Sequence, residues 1–304
     1  MSDSRSTRGA RWAPGTSTDD DGSERVRTAS DNNRPTAVDL TRTTLDTALD
    51  TALDSTLADH PRDASETVHA LPTLTIIVPM YREAARIAQT IETLASSTLH
   101  RPDIAFLFVD DGSKDETTAV ARRAIADTNL ANAHVESLAA NVGKGGAVKA
   151  GMSIAKGRYL GFVDADLSLD PADVSRALAR IESTGAHIVV GERVVNPLHQ
   201  PKLRRLSSTL FRKLVWGMSG LEIADPQCAL KIFRADVAAV LFSALTTDGF
   251  AFDVEVLSRA VQRGYRIDEM KIRWEHQPGS KVNPVSDGIG MYRELVRIRR
   301  TLSS

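Results

Sequence analysis

The chain has 304 residues, 42% of them hydrophobic, a formal net charge of −1 at pH 7 and a single cysteine, Cys228. That is enough apolar material for a sizeable core. The near-neutral balance gives no support to a nucleic-acid binder, and one cysteine excludes an internal disulfide framework or a cysteine-based zinc site. No apolar run approaches the roughly 18 residues that cross a bilayer, and the N-terminus lacks a signal-peptide core, so the expectation is a cytoplasmic protein without a membrane span.

Residues 1–70 are rich in Ser, Thr, Asp and Arg, and the first Ile, Tyr and Phe of the chain are Ile76, Tyr81 and Phe106. Such a segment cannot offset its ordering entropy by burial and reads as a largely disordered polar tail. Within it "TLDTALDTALDSTL" sets Leu45, Leu49, Leu53 and Leu57 four residues apart. On a helix these would form a slowly drifting stripe, although the composition favours a low-complexity tail. The domain proper is expected over 71–304.

From Leu74 the pattern changes. "LTIIVP" (74–79), "IAFLFVDD" (104–111), "AHVESL" (133–138), "RYLGFVDAD" (158–166) and "AHIVVG" (186–191) read as strands. Helical periodicity lies between them in 82–97, 114–128, 145–156 and 171–184, the last with Pro171 in its first turn. Alternating helices with nearly continuous apolar strands predict an α/β fold: a Rossmann-like, mainly parallel central sheet with helices on both faces. In such sheets ligands bind at the carboxyl ends of the strands.

Three of those ends are unusual: "VPMYRE" (78–83), "VDDGSKD" (109–115) and "VDAD" (163–166). A lone D-x-D is ordinarily a polar turn. Glu83, Asp110, Asp111, Asp164 and Asp166 together would make a strongly negative rim, tenable only with donors or a cation to offset it. Hard oxygen ligands suit Mg²⁺ or Mn²⁺ completed by substrate phosphates, which points to a nucleotide diphosphate. The glycines of "NVGKGGAVKAG" (141–151) open a helix N-terminus where Lys144 could meet a phosphate or a carboxylate. The spacing is neither Walker A nor G-x-G-x-x-G.

Downstream, "GERVVNPLHQPKLRRLSSTLFRKLVW" brings Arg193, Lys202, Arg204, Arg205, Arg212 and Lys213, a solvated basic helix face or a platform for anionic headgroups. Asp225 is equally readable as a helix N-cap and as a general base. Lys231 follows in an apolar stretch, Asp253 and Glu255 stand at a helix start, and a strand, His276 and a Gly279-Ser280-Lys281 turn come after them. The C-terminal "MYRELVRIRRTL" reads as a basic helix end or an interfacial helix.

Taken together, "VPMYREAARI", "FLFVDDGSKDET", "NVGKGGAVKAGM", "GRYLGFVDADLS", "DPQCALKIF", "GFAFDVEVL" and "GSKV" resemble the family 2 inverting glycosyltransferases of GT-A fold. Among these the likeness is to polyprenyl-phosphate glycosyltransferases, more to dolichyl-phosphate β-glucosyltransferases than to mannose synthases, over about Leu74 to Pro284. The resemblance implies that Pro79, Tyr81, Glu83, Val109 and Asp111 line the base and ribose pocket with Lys144 beside the nucleotide. It further implies that Asp164, Ala165 and Asp166 hold the sugar nucleotide, with Mg²⁺ or Mn²⁺ on the two aspartates, Asp166 most directly. Arg193, Arg204 and Lys231 are implied as diphosphate or acceptor-phosphate contacts and Asp225 as a proposed base. Mannose synthases often carry a metal-binding Gln where this chain has Ser168, which favours the glucosyl branch. The expected reaction moves a hexose, in the first place from UDP-glucose, to a dolichyl-type phosphate. GDP-mannose as donor, a soluble or polysaccharide acceptor, and a non-catalytic nucleotide-sugar or membrane-binding module are the alternatives. The expected partners are the nucleotide sugar, the polyprenyl phosphate and, peripherally, the anionic inner face of the membrane, with a homo-oligomer also compatible.

Overall fold

Along the strand Leu74–Met80 the side chains of Ile76 and Val78 enter one core cluster and Ile77 another. This is the two-residue period that lets a single sheet carry helices on both faces. The computed structural model describes residues 71–130, 132–194, 221–274 and 286–302, all within a compact unit over Val68–Ser304. The strands are β1 (Leu74–Met80), β2 (Ile104–Asp110), β3 (Ala133–Ser137), β4 (Tyr159–Phe162), β5 (Ile188–Val194), β6 (Lys231–Arg234) and β7 (Ile267–Arg273). The helices are α1 (Ile87–Ala95), α2 (Thr117–Thr128), α3 (Lys144–Ile154), α4 (Pro171–Thr184), α5 (Ala235–Ser243), α6 (Phe252–Gln262) and α7 (Ser286–Leu302).

The sheet order is β3-β2-β1-β4-β6-β5-β7. All pairings are parallel except those of β6, which runs antiparallel to both β4 and β5. The expected mainly parallel sheet is therefore present, with one reversed strand inserted at its middle. Because β6 is reversed, its first residue, Lys231, pairs with Phe162 at the carboxyl end of β4. A downstream segment thus reaches the same edge as the acidic strand ends.

One face is covered by α1, α2 and α4, through Ile87, Ile91, Leu94, Ala121, Val174 and Ile181. The other is covered by α3, α5 and α6, through Val148, Met152, Leu241, Phe242, Phe252 and Leu257. Each fully buried Ile, Leu or Phe side chain contributes about 1.5–3 kcal/mol relative to exposure. Local signals set the helix ends: Asp170 caps α4 by accepting from Ala172 N at 2.9 Å, Pro171 opens it, and Gly185 closes it at φ 61°.

Two expected boundaries differ by four residues or more. The helix expected from residue 82 starts at Ile87, because Arg82 takes φ 55° and Glu83 O receives both Arg86 N and Ile87 N in a tight turn. The strand expected through Asp166 ends at Phe162: Asp164 O accepts from Leu167 N and Leu167 has φ 47°, so the two aspartates stand on a turn. The polar tail and its leucine repeat, Arg204 and the other basic residues of 202–213, His276 and the Gly279-Ser280-Lys281 turn lie outside the described residues. No helix among the described residues is long and apolar enough to cross a membrane.

Candidate active site

The carboxyl ends of β1, β2 and β4 stand side by side, with Met80 in register with Asp110 and Ile77 with Phe162. The acids after them are far from a bare negative rim. Asp110 is buried and accepts from the hydroxyls of Ser113 and Thr118, each at 2.5 Å. Glu83 is held by the Arg86 guanidinium, and its backbone N–H donates to Thr117 Oγ1 at 2.8 Å.

Asp111 organises the glycine turn. Its Oδ1 accepts from Val142 N at 2.7 Å, and its Oδ2 accepts from Gly143 N at 2.9 Å and Asn141 Nδ2 at 2.8 Å. Burial raises its pKa against the pull of the Val142 and Gly143 amides. Its oxygens build the loop. The side chain of Val109 is fully buried in the core against Gly151. Pro79 and Tyr81 are half-buried at the end of β1, and Arg82 lies over the Tyr81 ring at 5.1 Å.

The glycine turn needs its glycines. Gly143 has φ 94°, and a Cβ there would sit 2.5 Å from Asp248 O; one on Gly145 would meet Phe252 Cβ and Thr247 O at 2.7 Å. The turn places Lys144 in the first turn of α3, with Nζ 2.5 Å from Asp164 Oδ1. The side chains are 21% and 38% exposed, so the pair is open to a ligand. Burial pushes the Asp164 pKa up, but Lys144, then Arg193 and Lys231, bring it below the usual carboxylate value.

Asp166 stands apart from the other acids. Its Oδ1 accepts from Ser168 N at 3.2 Å within its own turn, and among the described residues it has no ion-pair partner. Between the two aspartates Ala165 is buried, its carbonyl accepting from Thr90 Oγ1 at 2.6 Å, which ties the turn to α1. Arg86 lies within the electrostatic field of both Asp164 and Asp166.

Arg193, near the end of β5 and within the electrostatic field of Asp164, makes a bidentate pair with Asp225, Nε to Oδ2 at 2.6 Å and a second guanidinium nitrogen to Oδ1 at 2.8 Å. The Arg193 backbone N–H adds a bond to Oδ2 at 3.3 Å, and the guanidinium lies 5.7 Å from the Trp274 ring centre. Asp225 caps no helix; its carbonyl closes a turn with Cys228 N. Lys231 opens β6. It is fully buried, its Nζ 2.6 Å from both Asp253 Oδ1 and Cys228 O and 5.2 Å from the Phe162 ring centre. It acts on the edge as a buried charge. Its partner Asp253 reads in sequence as an ordinary first-turn acid of a helix, and only the 22-residue return of the chain reveals the pairing.

Among the described residues no three His, Cys, Asp or Glu side chains gather as a metal cage. Asp164 and Asp166 put two carboxylates on one turn, and with Lys144 on one oxygen of Asp164 it is Asp166 that offers the freer ligand, which matches the one or two carboxylates that a Mg²⁺ site completed by water and phosphate oxygens takes from a protein. The residues therefore fit such an ion.

A β–α sheet with acidic turns at its carboxyl edge, a glycine-bounded helix start and a facing arginine is the frame of a nucleotide-sugar transferase. The chain belongs to glycosyltransferase family 2, whose model, described as "Glycosyl transferase family 2", matches residues 75–242. It is 32% identical to a dolichyl-phosphate β-glucosyltransferase of Dictyostelium discoideum over 74% of this chain and 73% of that protein. The human enzyme of the same name is 31% identical, with 74% of each chain covered. Among solved structures, glucosyl-3-phosphoglycerate synthase from Mycobacterium tuberculosis, in complex with Mg²⁺ and uridine diphosphate, superposes with a TM-score of 0.57 at 17% identity, covering 76% of this chain and 79% of that one. The fold is GT-A, and the expected family is the one found.

Proposed function

We propose that this chain transfers a hexose with inversion from a nucleotide-diphosphate sugar, UDP-glucose in the first instance, to a polyprenyl phosphate. Its kinship to dolichyl-phosphate β-glucosyltransferases over nearly three quarters of their length supports the donor and acceptor classes. One structural observation carries the choice of acceptor: the bidentate clamp of Arg193 on Asp225. A sugar hydroxyl acceptor needs a free general base, whereas a phosphate monoester is already anionic and nucleophilic near neutral pH. Asp225, with both oxygens engaged by a guanidinium, is suited to aim Arg193 and poorly suited to take a proton.

Asp164 and Asp166 would hold Mg²⁺ or Mn²⁺, which supplies positive charge to stabilise the departing nucleoside diphosphate. Lys144 and Arg193 add fixed positive charge on either side of the same turn. Arg193 keeps its proton throughout, because Asp225 raises its pKa against the lowering effect of burial. An acceptor phosphate oxygen attacks the anomeric carbon from the face opposite the diphosphate. The new C–O bond forms as the bond to the leaving oxygen breaks with its electron pair, so an α-linked donor gives a β-linked product.

Approach of a lipid acceptor requires a membrane-facing surface, and α7 exposes Tyr292, Arg293, Arg297 and Arg300. An aromatic ring among arginines suits an anionic headgroup layer. We place the chain peripherally on the inner face of the membrane on that ground. The test is a donor screen: UDP-glucose, GDP-mannose and UDP-N-acetylglucosamine, each with labelled polyprenyl phosphate and with soluble sugar acceptors. Glucose appearing in the lipid phase supports the proposal; transfer confined to soluble acceptors overturns it.

A further inference from the structure

Glu294 lies on α7, remote in sequence from every motif of the donor edge, yet its carboxylate packs on a segment that supports that edge. Its Oε2 accepts from Ala251 N at 3.0 Å, and its Oε1 occupies the space where a Cβ on Gly249 would go. The carboxylate thus rests on the backbone of Gly249–Ala251. That backbone continues directly into the support of the glycine turn: Asp248 O accepts from Gly146 N at 3.1 Å and blocks a Cβ on Gly143, and Thr247 O blocks one on Gly145. Lys144 lies inside this turn and reaches Asp164. From α7 to the donor edge the links are the Glu294–Ala251 hydrogen bond, the backbone of 247–251, the Asp248–Gly146 hydrogen bond and the Lys144–Asp164 pair.

Packing alone does not call for an acid at this position. α7 is already fixed by Leu295 and Ile298, buried against Ala251 and Val254. Burial raises the pKa of Glu294, a sign that placing a carboxylate there is costly. What the carboxylate adds is an acceptor for the Ala251 amide at the start of α6, and a stop behind Gly249.

We propose that Glu294 is a positioning residue for the donor site, holding the 247–251 segment so that the glycine turn presents Lys144 to Asp164. This rests on the reading that the edge receives a nucleotide sugar. The experiment compares Glu294→Ala, Glu294→Gln, Gly249→Ala and Leu295→Ala in the full chain. It measures UDP affinity, donor KM and kcat, thermal midpoint, and hydrogen exchange at the Gly146 amide.

Glu294→Ala is expected to weaken UDP binding and raise donor KM by about 10-fold, as for loss of a hydrogen bond to a charged group, with kcat at saturating donor within about twofold. Gly249→Ala, whose Cβ displaces the carboxylate, should mimic it. Glu294→Gln keeps an oxygen acceptor and should restore binding. Exchange at Gly146 should quicken in the first two variants and stay slow in Leu295→Ala, which loosens the helix without touching the carboxylate. Unchanged UDP affinity in both Glu294→Ala and Gly249→Ala overturns the proposal, as does a loss that merely follows thermal stability across all variants. Should the unaltered chain bind no UDP, the functional reading fails, and the Gly146 exchange still decides whether Glu294 holds the turn.

Discussion

Lys144 Nζ and Asp164 Oδ1 are 2.5 Å apart, joining the glycine turn before α3 to the acidic turn after β4. The pair is the direct bridge between two motifs that are far weaker evidence when taken separately. Replacing Lys144 by Met should raise the donor KM by about 10- to 100-fold, the cost of removing one charge-assisted contact. It should also move the acid limb of the kcat/KM profile to higher pH. In the unaltered chain Lys144 is the foremost of the groups that bring the Asp164 pKa below the usual carboxylate value against burial, so its loss should move that pKa upward. A pH profile that superposes on that of the unaltered enzyme would count against the coupling.

The Lys231–Asp253 pair has the opposite character, because both side chains are almost wholly inaccessible. Breaking a buried pair strands an uncompensated charge and costs about 3–5 kcal/mol, whereas an apolar replacement of both partners is close to neutral. Lys231→Met should therefore destabilise the fold strongly in urea titrations, and Lys231→Met with Asp253→Leu should recover most of the loss. If the double variant proves no more stable than the single one, the two residues are not a closed pair.

Glu255 sets a pH limit on stability. It is fully buried and accepts from Thr246 N at 3.1 Å, Thr247 N at 2.9 Å and Arg259 Nε at 2.8 Å. Burial pushes its pKa up, but these partners pull it below the ordinary 4.5. The folded state then binds fewer protons than the unfolded one, so the contribution is fully present above pH 4.5 and is lost as pH falls through the folded pKa. Glu255→Gln should lower stability near neutral pH and flatten its fall on the acid side. Parallel stability curves for the two proteins would show that Glu255 is not the source.

Much of this architecture is legible in the chain, and the failures share a cause. β1, β2 and β4 are nearly continuous apolar runs and β5 opens on one, so pattern alone finds them, and the edge they define puts Asp164 and Asp166 where they are found. β6 is four residues long and gains its partners only through non-local pairing with β4 and β5, which leaves no period to detect. The expected pocket of five acids reflects the same limit. Composition displays the charges at Glu83, Asp110, Asp111 and Asp164, but their compensation by Arg86, Ser113, Thr118, the 141–143 turn and Lys144 includes contacts across up to 32 residues. Glu294 carries no signal at all in a basic helix, since its role depends on the amide of Ala251, 43 residues earlier.

Asp166 has no ion-pair partner among the described residues and takes its side-chain hydrogen bond from its own turn, which leaves it the acid of this edge most open to a metal ion. The decisive measurement is transfer of radiolabelled glucose from UDP-glucose into organic-extractable polyprenyl-phosphate product, with Mg²⁺ or Mn²⁺ supplied, by the unaltered chain and by Asp166→Asn. The expected result is a β-linked glycolipid from the former and a loss of about 100-fold or more in the latter at unchanged thermal midpoint. Equal yields from both proteins, or no labelled lipid from the unaltered chain under these conditions, would contradict it.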